Sequence, residues 1–272
     1  MNNKILIFGN GYIANRLKDE LGAEIYDGKI NFFKDAQSAI EKFSPKIIIN
    51  AVGYIGRNVD DCELDKEKTL LANTFVPFIL AEAAYRNNAR YIHISTGCIY
   101  HYDYSKDTPL GEELTPDFFQ LFYSRSKIYS EQGLLPLSKI YPLLILRIRV
   151  PLDDRAHPKN LIDKLINYKR VIDLPNSVTY IPDFIQAVKH LIKIDARGIF
   201  NIVNKEPLVY SELMEVYKKY VPDFGYEVIE FKKLNSIRTN LVLSTKKLEA
   251  SGFKVRTIHE VLEECVKRYL KY

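Results

Sequence analysis

Cysteine is scarce in this chain of 272 residues: Cys62, Cys98 and Cys265 are odd in number, far apart and without metal-ligand spacing. A disulfide scaffold is thereby excluded, and the five histidines, which do not cluster, supply no zinc site. No apolar stretch approaches the roughly twenty residues needed to cross a bilayer. The N-terminus runs straight into an apolar strand, so the expectation is a cytoplasmic protein with no membrane partner. No internal repeat or low-complexity linker interrupts the chain. What is present is the composition of a soluble globular protein, 47% hydrophobic and 27% charged. The net charge of +5 is carried by Lys and Arg interleaved with Asp and Glu. That pattern describes a solvated surface rather than a nucleic-acid stripe, with a few cations left for an anionic small molecule.

Continuous apolar runs at 4–8, 46–52, 90–96 and 143–150 read as buried strands, and a helix of about 66–87 and another carrying Tyr123 and Lys127 fall between them. Strands of this kind alternating with helices indicate a parallel sheet covered on both faces, hence a doubly wound α/β fold of Rossmann type. Beyond Pro151 the pattern becomes irregular and mainly helical, ending in an amphipathic helix at 258–269. The expected organisation is a dinucleotide-binding domain over 1–150, with 178–204 returning to it, and a smaller, mainly helical substrate lobe formed by 151–177 and 205–272.

Gly9-Asn10-Gly11-Tyr12-Ile13-Ala14 follows the first strand and opens a helix. This is G-x-G-x-x-A in the strand-to-helix setting where backbone N–H groups approach a pyrophosphate. Gly9, Gly11, Tyr12 and Ile13 are therefore candidate cofactor residues, with Ala51 and Gly53 at the end of the third strand; the competing reading is a tight turn with no ligand. The second strand ends at Asp27-Gly28-Lys29. Aspartate favours the free ribose 2′-hydroxyl of NAD and lysine the 2′-phosphate of NADP, so both cofactors stay open.

Tyr123 and Lys127 are four positions apart on one helix face, which sets an ammonium beside a phenol and favours its ionised form. The tyrosine becomes a usable proton donor to a carbonyl, and the hydroxyl of Thr96, from a neighbouring strand end, can hold the same oxygen. Such a pair also arises by chance on surface helices; its order after a glycine turn gives it weight.

Several stretches have no generic reason to exist in such a fold: Gly56-Arg57-Asn58-Val59-Asp60 with Cys62-Glu63, Thr96-Gly97-Cys98-Ile99 with Tyr102-Asp103, Phe122-Tyr123-Ser124 with Lys127, Leu146-Arg147-Ile148-Arg149, and Leu174-Pro175-Asn176-Ser177. On these the chain resembles the extended short-chain dehydrogenase/reductase superfamily along almost its whole length. Within it the chain is similar to the bifunctional UDP-4-keto-6-deoxyglucose 3,5-epimerase/4-reductases, with dTDP-4-dehydrorhamnose reductases as wider kin.

The resemblance implies an NADP-dependent enzyme acting on a nucleotide sugar, as a monomer or homodimer. It implies a reductase site at Thr96, Tyr123 and Lys127, epimerase residues at Cys98 and Lys164, and substrate contacts from Arg57, Thr96, Cys98, Asn160 and Arg238. The turn departs from the family's G-x-x-G-x-x-G, being one residue shorter and closing on Ala14, which still permits close helix–strand packing. A 4,6-dehydratase of this superfamily carries an Asp-Glu pair after the threonine, where Gly97-Cys98 stands here. Two further readings compete with the bifunctional one: a plain 4-ketoreductase, which needs Thr96, Tyr123 and Lys127 but not Cys98, and a non-catalytic NADP-binding regulatory subunit.

Overall fold

Ile5–Phe8 and Ile47–Asn50 bury every side chain, the mark of strands covered on both faces. In the computed structural model, which describes residues 4–272, they pair in parallel with Ile5 opposite Ile47 and Phe8 opposite Asn50. In chain order the elements are β1 (Ile5–Phe8), α1 (Tyr12–Leu21), β2 (Glu24–Tyr26), α2 (Phe33–Phe43), β3 (Ile47–Asn50), α3 (Asp61–Leu64), α4 (Lys66–Leu70), α5 (Val76–Arg86), β4 (Arg90–Thr96), α6 (Phe122–Leu137) and β5 (Leu143–Ile148). They continue with β6 (Pro151–Leu152), α7 (Leu161–Tyr168), β7 (Arg170–Ile172), β8 (Thr179–Tyr180), α8 (Ile181–Lys193), β9 (Gly198–Ile202), α9 (Tyr210–Lys218), β10 (Glu227–Ile229), α10 (Lys246–Ala250) and α11 (Ile258–Tyr269).

The main sheet has six strands in the order β2-β1-β3-β4-β5-β9, the doubly wound α/β arrangement expected. The chain leaves β1 toward β2 and returns to β3 on the opposite side of β1. The C-terminal ends of β1 and β3 therefore flank a topological switch point, where such sheets bind ligands.

Two compact units are present. The first runs to Ile99 and takes in Pro116–Arg147 and Leu191–Phe200; the second comprises Tyr100–Thr115, Ile148–His190 and Asn201–Tyr272. The core of the first includes Leu6, Phe8, Ile48, Leu80, Ala84 and Leu134. The core of the second gathers Leu165, Val171, Leu213, Val261 and Cys265, with the short parallel pairs β10-β7 and β6-β8 beside its helices.

These boundaries differ from the expected ones. Only Leu191–Phe200 packs with the first unit, secured by the Arg90 guanidinium, which donates to the carbonyls of Leu191, Ile192 and Ala196 at the end of α8. Residues 100–115, placed by sequence in the first domain, belong to the second. There Asn201 donates to Leu110 O and Glu112 Oε1, and the Tyr104 hydroxyl to Pro175 O.

Two local features were not read from the sequence. Helix α2 starts at Phe33 because Asp35 reaches back to accept the N–H groups of Asn31 and Phe32 at 2.9 and 3.0 Å, which holds its carboxyl below the usual range. The helix expected over 66–87 contains a π-turn at Leu71–Phe75. Pro77 has no N–H to offer the Asn73 carbonyl, and Val76 N–H bonds instead to Leu71 O, five residues back. Among the described residues no helix is long and apolar enough to cross a membrane.

Leu80 on α5 is fully buried in the first core. Leu80→Ala is expected to cost about 2–5 kcal/mol, read as a lowered urea midpoint at constant m-value. An unmoved midpoint would contradict this placement of the core.

Candidate active site

Gly9 leaves β1 with φ +103°, a conformation that favours glycine, and its N–H bonds to Tyr26 O at 3.1 Å. A Cβ there would stand 3.0 Å from Val52 N and 3.1 Å from the Ala51 carbonyl, so the turn lies directly against the chain leaving β3. Gly11 is the N-cap of α1 and makes no side-chain cap; a Cβ on it would meet nothing within 4 Å, and the first turn carries no acidic residue. Gly11 thus brings no side chain to the start of α1 at the switch point, and Tyr12 and Ile13 behind it are half-buried, an arrangement that fits a dinucleotide pyrophosphate. Asp27 and Lys29 are both exposed just past the end of β2, where the adenosine ribose of such a ligand would be read.

The second cluster forms where the end of β4 meets the first turns of α6. Thr96 is buried, and its Oγ1 accepts the Cys98 N–H at 3.1 Å, which leaves the threonine O–H free to donate elsewhere. The Cys98 carbonyl accepts the Ser124 hydroxyl at 2.5 Å. The N–H of Cys98 is thereby held by the strand end and its carbonyl by the helix, and the half-buried thiol is placed by this seam. Tyr123 is half-buried in the first turn of α6; Lys127, one turn on, is buried, with Nζ 3.4 Å from Ile94 O. Burial pushes the Lys127 amine down to about 8, opposed by the negative charge of Glu131. Burial pushes the thiols of Cys62 and Cys265 up, which suits them to packing rather than to proton transfer.

Several residues that hold this cluster were missed. Asn73, in the π-turn, accepts Tyr54 N–H at 2.7 Å, donates to Tyr54 O at 2.9 Å and to Ser126 Oγ at 3.1 Å, and so clamps the chain after β3 to α6. A Cβ on Gly53 would lie 3.4 Å from Asn73 Oδ1 and 3.8 Å from Lys127 Nζ. Helix α6 has no side-chain cap of its own; Glu63 supplies one from α3, accepting the Phe122 N–H at 2.5 Å. Glu131 and Arg147 form an ion pair beneath Lys127. The sequence signals for these were Glu63 and Arg147, each in one of the unusual stretches, the latter an arginine inside the otherwise apolar run at 143–148.

Arg57 is exposed and pairs with Asp61, donating from Nη2 to Oδ1 at 3.1 Å and from its backbone N–H to Oδ2 at 2.9 Å. In the second unit, Asn160 is the N-cap of α7 and fully buried; its amide accepts Asp153 N–H and donates to the carbonyls of Asp153 and Arg155. With both ends of that amide occupied, any part Asn160 takes in holding a substrate runs through the loop it shapes. Lys164 is half-buried on α7, one turn after Asn160, and Arg238 donates to Ile237 O at 2.7 Å.

A doubly wound sheet with a glycine turn at its switch point and a Tyr-x-x-x-Lys helix beside the fourth strand defines a protein of the extended short-chain dehydrogenase/reductase class. The chain belongs to the RmlD substrate binding domain family, whose model matches residues 6–173. It is 30% identical over 95% of its length to an Arabidopsis thaliana protein named trifunctional UDP-glucose 4,6-dehydratase/UDP-4-keto-6-deoxy-D-glucose 3,5-epimerase/UDP-4-keto-L-rhamnose-reductase RHM2, of which it spans 41%. It is also 30% identical, over 86% of itself and 81% of that protein, to the bifunctional dTDP-4-dehydrorhamnose 3,5-epimerase/dTDP-4-dehydrorhamnose reductase of the same plant.

Among solved structures, the L780 UDP-rhamnose synthase of Acanthamoeba polyphaga mimivirus has the same fold, with a TM-score of 0.89 at 23% identity, covering 97% of this chain and 99% of that one. So does the dTDP-4-dehydrorhamnose reductase of Bacillus anthracis, solved in complex with NADP, with a TM-score of 0.84 at 19% identity, covering 100% and 99%.

Glu63→Ala removes the acceptor at the start of α6 and is expected to cost about 0.5–2 kcal/mol in urea unfolding. Glu63→Gln keeps an acceptor and should lose clearly less. Equal losses in the two variants would show that the cap contributes nothing.

Proposed function

We propose that the protein is an NADPH-dependent 4-ketoreductase for a nucleotide-linked 4-keto-6-deoxyhexose in rhamnose formation, and that it also epimerises this sugar at C3 and C5. The observation that carries the reading is the seam of β4 and α6 within one unit, where Cys98 is bonded to Thr96 and, through Ser124, to the first turn of the helix that carries Tyr123 and Lys127, and Lys127 is bonded to Ile94 of the strand. The names of the plant relatives support the substrate class, and the presence of NADP in the Bacillus reductase supports the cofactor.

Gly9, Gly11, Tyr12 and Ile13 with Ala51 and Gly53 would hold the dinucleotide, and Lys29 would take the 2′-phosphate; under a preference for NAD, Asp27 would take the free hydroxyls instead. When bound, the reduced nicotinamide supplies the hydride. The Thr96 hydroxyl and the Tyr123 phenol hold the C4 oxygen of the sugar, and Tyr123 gives it a proton as it becomes an alcohol. Lys127, charged at neutral pH, stabilises the phenolate that remains.

The same grip suits epimerisation. A C4 ketone acidifies the hydrogens on C3 and C5, and loss of either gives an enolate whose charge collects on the oxygen that Thr96 and Tyr123 hold. Cys98, two residues past Thr96, would exchange the proton on one face, and Lys164, on resemblance alone, on the other. A plain 4-ketoreductase is the second reading, favoured by the fact that the seam uses only backbone groups of Cys98 and so holds together without a reactive thiol.

Tyr123→Phe is expected to lower reduction by about 10² to 10⁴ while calorimetry finds NADPH binding nearly unchanged. Unchanged turnover would remove the reductase assignment. In heavy water with a 4-keto-6-deoxy sugar nucleotide, Cys98→Ser and Lys164→Met should each stop deuterium entry at C3 or C5, seen by NMR, yet reduce an already epimerised sugar at nearly the parent rate. Deuterium entry as fast as in the parent would leave the plain 4-ketoreductase.

A further inference from the structure

Beneath Lys127 lies a charged group that the proposed chemistry does not use. Glu131 follows Lys127 by four residues, hence one turn along the same face of α6. It is 2% exposed, Arg147 on β5 is 1% exposed and Ser95 on β4 is 3% exposed. Arg147 grips the Glu131 carboxylate in a forked pair, Nη2 to Oε2 at 2.6 Å and Nε to Oε2 at 2.9 Å, and the Ser95 hydroxyl donates to Oε1 at 2.5 Å.

Stability does not account for this arrangement. Two charges are costly to take out of water, and hydrocarbon of the same volume commonly serves a core as well or better. The position of the group in the strand is more telling. Ser95 stands between Ile94, whose carbonyl faces Lys127 Nζ, and Thr96, whose hydroxyl is in the candidate site.

We propose that Glu131 is a positioning residue for the Tyr123–Lys127 pair: through Ser95 it ties α6 to the strand end that carries Thr96, and its carboxylate is the fixed negative charge that keeps the buried Lys127 amine protonated. Arg147 keeps that carboxylate aimed. The groups around Lys127 are few. Glu131 is on its own helix, with Tyr123 one turn before; the Cys62 thiol acts on it from α3, and His93 on β4 feels the lysine charge. Burial and that charge both hold His93 neutral, and burial keeps Cys62 a thiol. Glu131 is then the one full negative charge acting on the amine among these groups. The geometry does not depend on the ketoreductase reading; only the consequence for rate rests on it.

The test reads Lys127 directly. Lysine ε-carbons enriched in carbon-13 are followed by NMR through a pH titration of the full chain, with the Lys127 signal assigned by its loss in Lys127→Met. The parent should titrate near pH 8, where burial and Glu131 together place the amine. Glu131→Gln should titrate about one unit lower, and the alkaline fall of kcat should move down with it while KM for NADPH stays within about twofold. If Glu131→Gln alone does not fold, Glu131→Gln with Arg147→Met removes the stranded guanidinium as well, and a shift in the same direction is expected.

Ser95→Ala keeps both charges and cuts the tie, so it should leave the Lys127 titration in place and lower kcat about tenfold or more. Unchanged kcat in that variant overturns the strand tie, and identical titration of Lys127 with and without the Glu131 charge overturns the electrostatic role. A parent protein that reduces no 4-keto sugar nucleotide would sink the ketoreductase reading, yet the titration would still decide the charge on Lys127.

Discussion

A lysine amine held out of water is the constraint on which the first unit is arranged. An isolated ammonium in such a place costs several kcal/mol. Lys127 offsets that cost with the Ile94 carbonyl and with the charge of Glu131 one turn away. The carboxylate is itself buried, so Arg147 and Ser95 must satisfy it in turn. Each group in this chain is acceptable only because the next is present, and together they span β4, α6 and β5. Helix α6 is consequently fixed to the sheet at its middle by charge and at its first turn by Ser124 on the Cys98 carbonyl, while Glu63 of α3 holds its N-terminus.

The same constraint joins α6 to the glycine turn. Gly9 presses on the backbone of Ala51 and Val52, and Gly53, next in that segment, lies against Asn73 and Lys127 Nζ. Asn73 in turn holds Tyr54 and Ser126. A side chain larger than hydrogen at Gly9 would push the chain after β3 away from the turn, and with it the contacts that reach the lysine. Close approach of three backbone segments is therefore what brings the glycine turn and the helix of Tyr123 and Lys127 to one end of the sheet, with Asn73 of the π-turn at Leu71–Phe75 bonded between the chain after β3 and α6.

How far this was legible in the sequence follows from the range of each interaction. The strands were readable because runs such as Ile47–Asn50 are buried on both faces and need no partner to identify them. Thr96, Tyr123 and Lys127 were readable because a spacing of four on a helix and a strand end are local facts. The break in the helix at Leu71–Phe75 was less so: Pro77 announces a missing N–H, but which carbonyl slips depends on the packing of Asn73 against Tyr54 and Ser126. Glu63 and Phe122 are 59 residues apart, so no window of sequence joins them. Residues 100–115 carry no periodicity, and their membership of the second unit depends on Asn201, far along the chain.

Under the proposed reading, the three cysteines show how a scaffold takes on a second proton transfer at small cost. Cys62 and Cys265 are buried, and desolvation holds both as inert thiols. Cys98 is half-buried, and its position is dictated by its backbone, through Thr96 on one side and Ser124 on the other. Any side chain at 98 would leave the strand at the same place relative to Thr96. Under the proposed reading, the difference between a reductase and an epimerase/reductase at this end of the sheet is then the chemistry of that one side chain. The grip on the ketone oxygen, which both of those reactions require, would already be supplied by the seam that positions that side chain.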